Sequence, residues 1–535
     1  PGGSMNRSGS YAEQDKYFAL YFKDDYKVSS KLTLNLGLRV EHESAITERY
    51  NRAVRGFAAG ANNPIEAAAL ANYTRSPIAE LSVAQFQVNG GLTFAGVGGN
   101  PRDYWDAPFL TWMPRFGVAY QARKNTVLRA GYGIFYASIG INRTNTNLAG
   151  FSRSTTIQPS ADNGLNFIAS LDNPFPAGLL EPLAAAGGLE TNLNQGVSFF
   201  AGRRKQPYAQ RWSLGFQRQF WTGYVLESSY VGNRGTNIQA SRNINATPAQ
   251  YLSTSPVRDQ TTISFLTANS TSPFFGLNPN YTSATIQRQQ LLRPYPHFGD
   301  ITFDDSVGYS WYHSWQSRLE KRFSQGYTLQ ISHTWSKTMD AVSFLNASDP
   351  MPYETLSDLD RVLRTTGSGI WELPFGRGRK FGGQWNKPLD FIAGGWQLNG
   401  VYQRQSGAPI GFGQALFVGD SSTITLPSDQ RNADRWFNTP VFMRTSAQAL
   451  ANNIRSAPLR YSNIRLDSQR RLDLSLIKTF AVTERFKMKF RAETFNTFNE
   501  VVLRGPNTDP YNSSFGIVTA QEPPRSWQFS LTLSF

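Results

Sequence analysis

The chain has 535 residues and is rich in aromatic residues, Gly and Pro, a composition typical of β-strands joined by many turns. It contains no Cys, which excludes a disulfide scaffold and a thiolate metal site. Lys and Arg outnumber Asp and Glu by 53 to 38, but the basic residues are spread singly over strands and turns, so nucleic-acid binding is not expected.

The chain begins with "PGGSMNRSGS", which has neither an initiating Met nor a positive segment followed by an apolar one. No later run approaches the roughly 18 apolar residues of a membrane-spanning helix, so a helical membrane protein is excluded. We expect residues 1–16 to be a truncated loop remnant of a longer protein.

The first clear periodic pattern begins at Leu32. Leu32, Leu34, Leu36, Leu38 and Val40 interleave with polar or charged residues. Because strand side chains point alternately to opposite faces, one face is apolar and the other polar. The run matches the roughly 9–11 residues with which a tilted strand crosses a bilayer.

The same alternation recurs at residues 327–336, 472–480, 486–493 and 527–535. Soluble β-sandwiches also alternate, but their strands are usually about 5–6 residues long. Length and repetition therefore favour an all-β fold, a transmembrane antiparallel β-barrel.

The connections fall into two length classes. Short ones lie at 27–31, 122–126, 220–224, 324–326 and 481–485, and long ones at 43–113, 138–208, 236–307 and 408–468, with a shorter one near 340–360. Compact soluble domains rarely contain several loops of that size. Outer-membrane barrels have short periplasmic turns and long extracellular loops.

This rule predicts thirteen strands. They lie near residues 17–27, 31–42, 114–121, 127–137, 209–219, 224–235, 309–323, 327–338, 361–373, 396–407, 469–480, 486–498 and 525–535. An odd number cannot close an antiparallel barrel, so we expect the chain to be part of a larger one.

Several segments, taken together, resemble the barrel repeats of TonB-dependent receptors of the Oar-like type. They are "YFALYFKDDYKV" with "LTLNLGLRVE", "RFGVAYQ" with "LRAGYGIFY", "QRWSLGFQRQF" with "YVGNRGTN", "SRLEKRFSQGYTLQISHTWSKTMD", "LPFGRGRKFGG" and "FRAETFNTFN". The resemblance runs from Tyr17 to Phe535.

The resemblance implies that residues 17–535 are the C-terminal part of a plugged, roughly 22-stranded barrel. The thirteen strands would then be the tenth to the last. It also implies uptake of a bulky or scarce solute across the outer membrane of a Gram-negative bacterium. The implied partners are outer-membrane lipid, the protein's own plug domain and the TonB complex, the last two acting through parts absent from this sequence.

Charged residues on the polar faces of the strands are the candidates for the barrel lumen, facing either the plug and substrate path or only solvent. They are Arg39, Glu41, Arg129, Glu227, Arg318, Glu320, Arg322, Lys487, Lys489, Arg491 and Glu493.

The final strand carries Trp527, Phe529, Leu531, Leu533 and Phe535 on one face. A terminal aromatic on such a strand resembles the signal by which the barrel-assembly machinery recognises its clients. The alternative is a last lipid-facing strand whose ring anchors at the interface.

No catalytic residue, metal ligand or cofactor site is predicted. The four His residues are scattered, and neither a nucleophile elbow nor a phosphate loop is present. Two other functions remain open: an outer-membrane enzyme, and a secreted, soluble glycan-binding β-protein. The densest basic cluster, Arg377, Arg379 and Lys380, is interpreted as a solvated turn.

Overall fold

The computed structural model describes residues 3–140, 149–160, 165–221, 223–481 and 485–535. Within them, thirteen antiparallel strands lie side by side in chain order as the main sheet. They are β1 (Tyr17–Lys27), β2 (Leu32–Glu43), β3 (Thr111–Arg123), β4 (Thr126–Tyr136), β5 (Tyr208–Phe220), β6 (Tyr224–Asn243), β7 (Ile301–Ser324), β8 (Tyr327–Ala341), β9 (Leu363–Glu372), β10 (Trp396–Gln405), β11 (Gln469–Ala481), β12 (Lys487–Phe495) and β13 (Ser526–Ser534). All thirteen predicted strands are thereby confirmed.

The strands pair in a register that aligns the apolar residues of each strand with the apolar residues of its neighbours. Leu34 lies opposite Tyr26 of β1 and Val118 of β3. Directly opposed residues of antiparallel strands share a face. The apolar residues of neighbouring strands therefore combine into one continuous apolar face, and the polar residues into the other.

The apolar face is not the core of the protein. Leu36 and Leu38 are each 38% exposed, and Phe529 is 64% exposed. The three buried apolar clusters found in the described ranges contain none of these residues and are built from the segments between strands, together with Ile301 at the start of β7. A surface of this kind fits lipid better than a soluble sandwich, whose apolar faces pack together.

Two strands extend well beyond their predicted ends. β6 has 20 residues and β7 has 24, and they pair up to Asn243 and Thr302. The predicted ends at 235 and 309 were wrong because the register shifts between Gly235 and Ala240, which breaks the alternation in the sequence. β6 and β7 therefore pair with each other beyond the points where their pairing with β5 and β8 ends, at Thr236 and Tyr309.

The long connections fold into small elements. Their helices are Glu66–Arg75, Gln260–Thr267, Arg288–Leu291 and Ser421–Ile424, with 3-10 turns at Ala184–Glu190, Ala249–Tyr251, Ser428–Gln430, Thr439–Val441 and Ser446–Gln448. Their short strands are Thr47–Glu48, Val54–Phe57, Leu92–Phe94, Ser152–Thr156, Val197–Phe200, Asn269–Thr271, Thr285–Gln287, Thr355–Leu356, Pro409–Ile410 and Tyr461–Arg465. At the other end of the sheet, the connection from β9 to β10 contains the helix Lys387–Ala393. Among the described helices, none has both the length and the apolar content needed to cross a bilayer.

The short turns follow the geometry of hairpins. Between β7 and β8, Gln325 and Gly326 both have positive φ, 56° and 83°, as a primed two-residue turn requires. The predicted turns at 220–224 and 481–485 include Thr222 and residues 482–484, which lie outside the described residues.

The main sheet has two ends in the described part of the chain. There β1 pairs with β2 alone, and β13 pairs with β12 alone. The expected loop remnant contains two short strands: Ser4–Ser8 pairs with Ser152–Thr156, and Glu13–Gln14 pairs with Thr47–Glu48. That the sheet is part of a larger closed barrel remains a prediction.

Candidate functional site

The register places all eleven predicted lumen residues on the polar face of the main sheet. Arg129 lies opposite Gly215, which lies opposite Ser229 of β6, two residues from Glu227. Glu227 in turn lies opposite Arg318 of β7. The remaining candidates follow at steps of two along β2, β7 and β12, so their side chains share that face.

Four strands carry an ion pair on this face between an Arg and an acid two residues further on, and β1 carries a fifth pair of the same spacing, Lys23 with Asp25 at 3.0 Å. Arg39 pairs with Glu41, Arg318 with Glu320 at 2.7 Å, Arg471 with Asp473 at 2.8 Å, and Arg491 with Glu493 at 3.4 Å. The strand period of two brings the partners of each pair together. The repeated signal in the sequence is Arg, one residue, then an acid, seen in "RVE", "RLE", "RLD" and "RAE". Sequence reasoning overlooked the third pair.

Arg318 connects three strands. Besides Glu320, its guanidinium lies 4.0 Å from Glu227 of β6 and donates to the side chain of Gln330 of β8 at 3.1 Å. Exposed ion pairs of this kind contribute only about 0–1 kcal/mol each, so the network orients charges more than it stabilises the sheet.

The polar face has an excess of positive charge. Seven of the eleven candidates are basic and four are acidic. The ion pairs of the described residues involve all four acids but do not include Arg129, Arg322, Lys487 or Lys489. A face lined by one sign of charge concentrates solutes of the opposite sign.

Glu43 joins this face to the folded loops. It continues the spacing of Arg39 and Glu41 at the end of β2, and it is buried. Its carboxylate accepts from the Ser138 hydroxyl at 2.7 Å, from the backbone N–H of Gly140 at 2.6 Å and from the Gln206 amide at 2.8 Å. One side chain thus fixes the ends of the connection between β4 and β5.

Three apolar cores support the loops in the described ranges. The first loop core includes Tyr73, Phe274 and Phe298, the second includes Phe437 and Phe515, and the third includes Tyr104 and Trp105. Sequence reasoning identified these segments only as long loops and predicted no core within them, because their apolar residues show no period and meet only through long-range contacts.

His297 lies in the first loop core and is completely buried. Its Nε2–H donates to the carbonyl of Gly90 at 3.3 Å, and its ring packs 4.7 Å from that of Phe298. Burial lowers the pKa of His297 to about 4, and the bond to Gly90 only partly opposes this. The ring is therefore neutral at physiological pH.

The remaining histidines are separate from one another. His42 contacts the carbonyl of Phe109, His313 the hydroxyl of Tyr230, and His333 the hydroxyl of Thr365. No group of three or more potential metal ligands occurs among the residues that the structure describes.

Asp259 shows how local bonds organise the loops. It caps the helix Gln260–Thr267 by accepting from the Thr262 N–H at 3.1 Å. The Thr262 hydroxyl and backbone, and then Ser253, stabilise the carboxylate and lower the pKa of Asp259 to about 2. It remains ionised over the physiological range.

Comparisons with known proteins place the chain in a family. A family model described as an outer membrane beta barrel domain matches residues 2–528. No curated protein matches the sequence significantly.

Three similar solved structures illustrate the likeness. The ferric-catecholate import receptor Fiu of Escherichia coli K12 is 10% identical, with a TM-score of 0.42 over 98% of this chain and 45% of that one. The transporter YddB of Escherichia coli is 10% identical, with a TM-score of 0.45 over 98% of this chain and 55% of that one. The iron transporter FrpB of Neisseria meningitidis is 10% identical, with a TM-score of 0.37 over 97% of this chain and 55% of that one. The chain thus spans about half the length of each of these proteins. The family match covers nearly the whole sequence, and the chain belongs to the outer membrane β-barrel domain family.

Proposed function

We propose that the chain is the C-terminal part of the barrel of a TonB-dependent receptor of the Oar-like type, with residues 1–16 as a loop segment and residues 17–535 as barrel. In this proposal the complete protein takes up a bulky or scarce solute, without enzymatic turnover, when the TonB complex acts on a plug inside the barrel. The barrel-assembly machinery would insert it.

The observation that carries the proposal is that the same sheet has one apolar face and one charged face. An exposed apolar face suits lipid, and a charged face suits a water-filled, plug-bearing interior. A soluble glycan-binding protein needs no such apolar face, and membership of an outer-membrane family sets that alternative aside. An outer-membrane enzyme would need a cluster of catalytic groups, for which the described residues give no support.

The charge of the polar face suggests the class of solute. Arg129, Arg322, Lys487 and Lys489 add positive charge that the ion pairs of the described residues do not offset. Fixed positive charge along a path raises the local concentration of anions. We therefore expect the solute to be anionic.

The test is uptake in the host bacterium. Deleting this gene or the TonB gene should abolish uptake of at least one labelled anionic solute, and deleting both should have no greater effect. Lys487→Glu with Lys489→Glu should reduce that uptake roughly tenfold, because a favourable local potential becomes unfavourable. Arg123→Glu with Lys124→Glu, at the exposed end of β3 and in the turn that follows it, is the matched control. Unchanged uptake in the gene deletion, or a loss that does not depend on TonB, would refute the proposal.

A further inference from the structure

Three glycines make a groove in the apolar face. Gly369 of β9 lies opposite Gly400 of β10, so two neighbouring strands have no side chain in that row. Leu329 and Leu474 stand on either side of the pair. Gly367, two residues before Gly369, extends the floor.

The groove is large enough for a ligand. It is open to the surface, has a volume of about 780 Å³ and is lined mainly by apolar side chains, which include Ile331, Trp371, Tyr402 and Leu472. Protein sites that bury small ligands range over roughly 300–1,000 Å³. Because this face is the one suited to lipid, an acyl chain is the apolar group available to fill the groove.

The turn that follows β9 is basic and partly apolar. Arg377, Arg379, Lys380 and Lys387 lie within residues 374–395. Arg379 pairs with Glu372 at 2.8 Å, whereas the ion pairs of the described residues do not include the other three. Exposed rings, Phe375 and Phe381, flank the basic residues. Trp371, at one end of the groove, lies three residues before this turn begins.

The helix of this turn lies against the apolar face. Lys478 and Phe480 of β11 are on that face, since Lys478 opposes Trp396 and Phe490. The Lys478 ammonium donates to the carbonyls of Ile392, at 3.0 Å, and Gly394.

Phe391 completes the contact, because its ring lies 4.9 Å from that of Phe480. Beside it, Ile392 is 69% exposed. The helix is therefore part of the outer, lipid-facing surface, at the end of the sheet where the short turns lie.

We propose that the groove and the turn together bind one anionic phospholipid of the leaflet that borders the short turns. Its acyl chain lies over Gly367, Gly369 and Gly400, and its phosphate contacts Arg377 and Lys380. Aromatic rings and basic side chains are the groups that favour this interfacial position. The basic cluster that sequence analysis interpreted as a solvated turn is, in this proposal, part of a lipid site. The proposal requires that the chain is inserted in a membrane, but it does not require transport.

The test is lipid retention by the full chain. The chain is purified in detergent, mixed with phosphatidylglycerol or phosphatidylcholine, and examined by native mass spectrometry. Phosphatidylglycerol should be retained roughly tenfold more than phosphatidylcholine, because the choline cation offsets the phosphate charge of phosphatidylcholine and weakens its attraction to Arg377 and Lys380. An excess of inorganic phosphate should not displace it, because the acyl chain contributes binding.

Two variants separate head group from acyl chain. Arg377→Gln with Lys380→Gln should remove the preference for phosphatidylglycerol, whereas Arg123→Gln with Lys124→Gln, in another turn at the same end, should keep it. Gly367→Leu should reduce retention of both lipids. Its Cβ meets only Tyr402 Cβ, at 3.8 Å, and a backbone oxygen at 3.9 Å, so the strand can hold it. Ser368→Leu, on the opposite face of β9, is its control.

Equal retention of both lipids by the unchanged chain would overturn the proposal. So would an equal loss in the Arg123/Lys124 variant, or complete displacement by inorganic phosphate. If Gly367→Leu fails to fold, as judged by circular dichroism, the Arg377/Lys380 variant and its control still decide the question.

Discussion

Arg465 donates to the carboxylate of Asp360 at 2.7 Å, and this pair joins two connections that are far apart in the sequence. Asp360 precedes β9 and Arg465 precedes β11. The carboxylate is buried and also accepts from the backbone N–H of Thr338, at 2.7 Å, in β8. Such a group is stable only while its partners are present.

Asp360→Asn should therefore destabilise the loops by about 2–3 kcal/mol, because Arg465 loses its charged partner. Urea unfolding in detergent, followed by tryptophan fluorescence, measures the change. The matched control is Asp358→Asn, which alters an exposed carboxylate two residues away and should shift the midpoint little. Equal shifts for the two variants would show that the pair has no special role.

The first loop core should weaken as the pH falls. The pKa of His297 is lowered to about 4, against about 6.5 in an unfolded chain, so the unfolded state binds more protons between these values. The free energy of unfolding of the first loop core should be highest above pH ~6.5, and it should fall by about 3 kcal/mol as the pH is lowered to ~4. Hydrogen exchange of the amides of Leu92–Phe94 at several pH values measures this.

His297→Phe keeps an aromatic ring but cannot titrate, so it should remove the pH dependence of that exchange. His42→Phe, at the end of β2 and outside the first loop core, should leave it in place. If hydrogen exchange in His297→Phe keeps its full pH dependence, a titratable group other than His297 causes it.

The chain on its own should not form a uniform pore. In the described residues β1 and β13 each pair on one side only, and unpaired strand edges leave backbone groups that lipid cannot satisfy. Planar-bilayer recordings should show irregular conductance. Reproducible unitary channels would mean that the thirteen strands close by themselves.

The terminal ring should matter for assembly more than a ring within the last strand. Phe535 is fully exposed beyond the end of β13, whereas Phe529 lies in mid-strand on the apolar face. In the protein as the host bacterium produces it, deletion of Phe535 should reduce membrane insertion and protease resistance more than Phe529→Ala does. An equal or smaller loss on deletion would leave Phe535 only an anchoring role.

The strands could be predicted because each carries its own signal. Alternation such as Leu32 to Val40 specifies a strand and both of its faces without reference to the rest of the chain. The same signal placed Arg318 and Glu320 on the polar face. It failed at Gly235, where a register shift interrupts the period although pairing continues.

The loop cores could not be predicted because their contacts are long-range. Phe274 and Tyr73 belong to one cluster, yet they come from different connections and neither lies in a periodic segment. The helix Lys387–Ala393 did leave a local signal: Asn386 caps it by accepting from the Leu389 N–H at 2.9 Å, and Pro388 stands in its first turn.

The most direct test of the membrane assignment is cysteine scanning along β2. The chain contains no cysteine, so single replacements at Leu34 to Arg39 give one reactive thiol each. In outer membranes, cysteines at Leu34, Leu36 and Leu38 should resist a water-soluble maleimide but react with an apolar one. Fluorophores attached there with the apolar maleimide should be quenched by lipid-borne quenchers. Cysteines at Asn35, Gly37 and Arg39 should show less quenching. Equal labelling of all six positions by the water-soluble maleimide would contradict a lipid-facing apolar surface. So would cysteines at the three leucines that neither react with the water-soluble maleimide nor come within reach of the lipid.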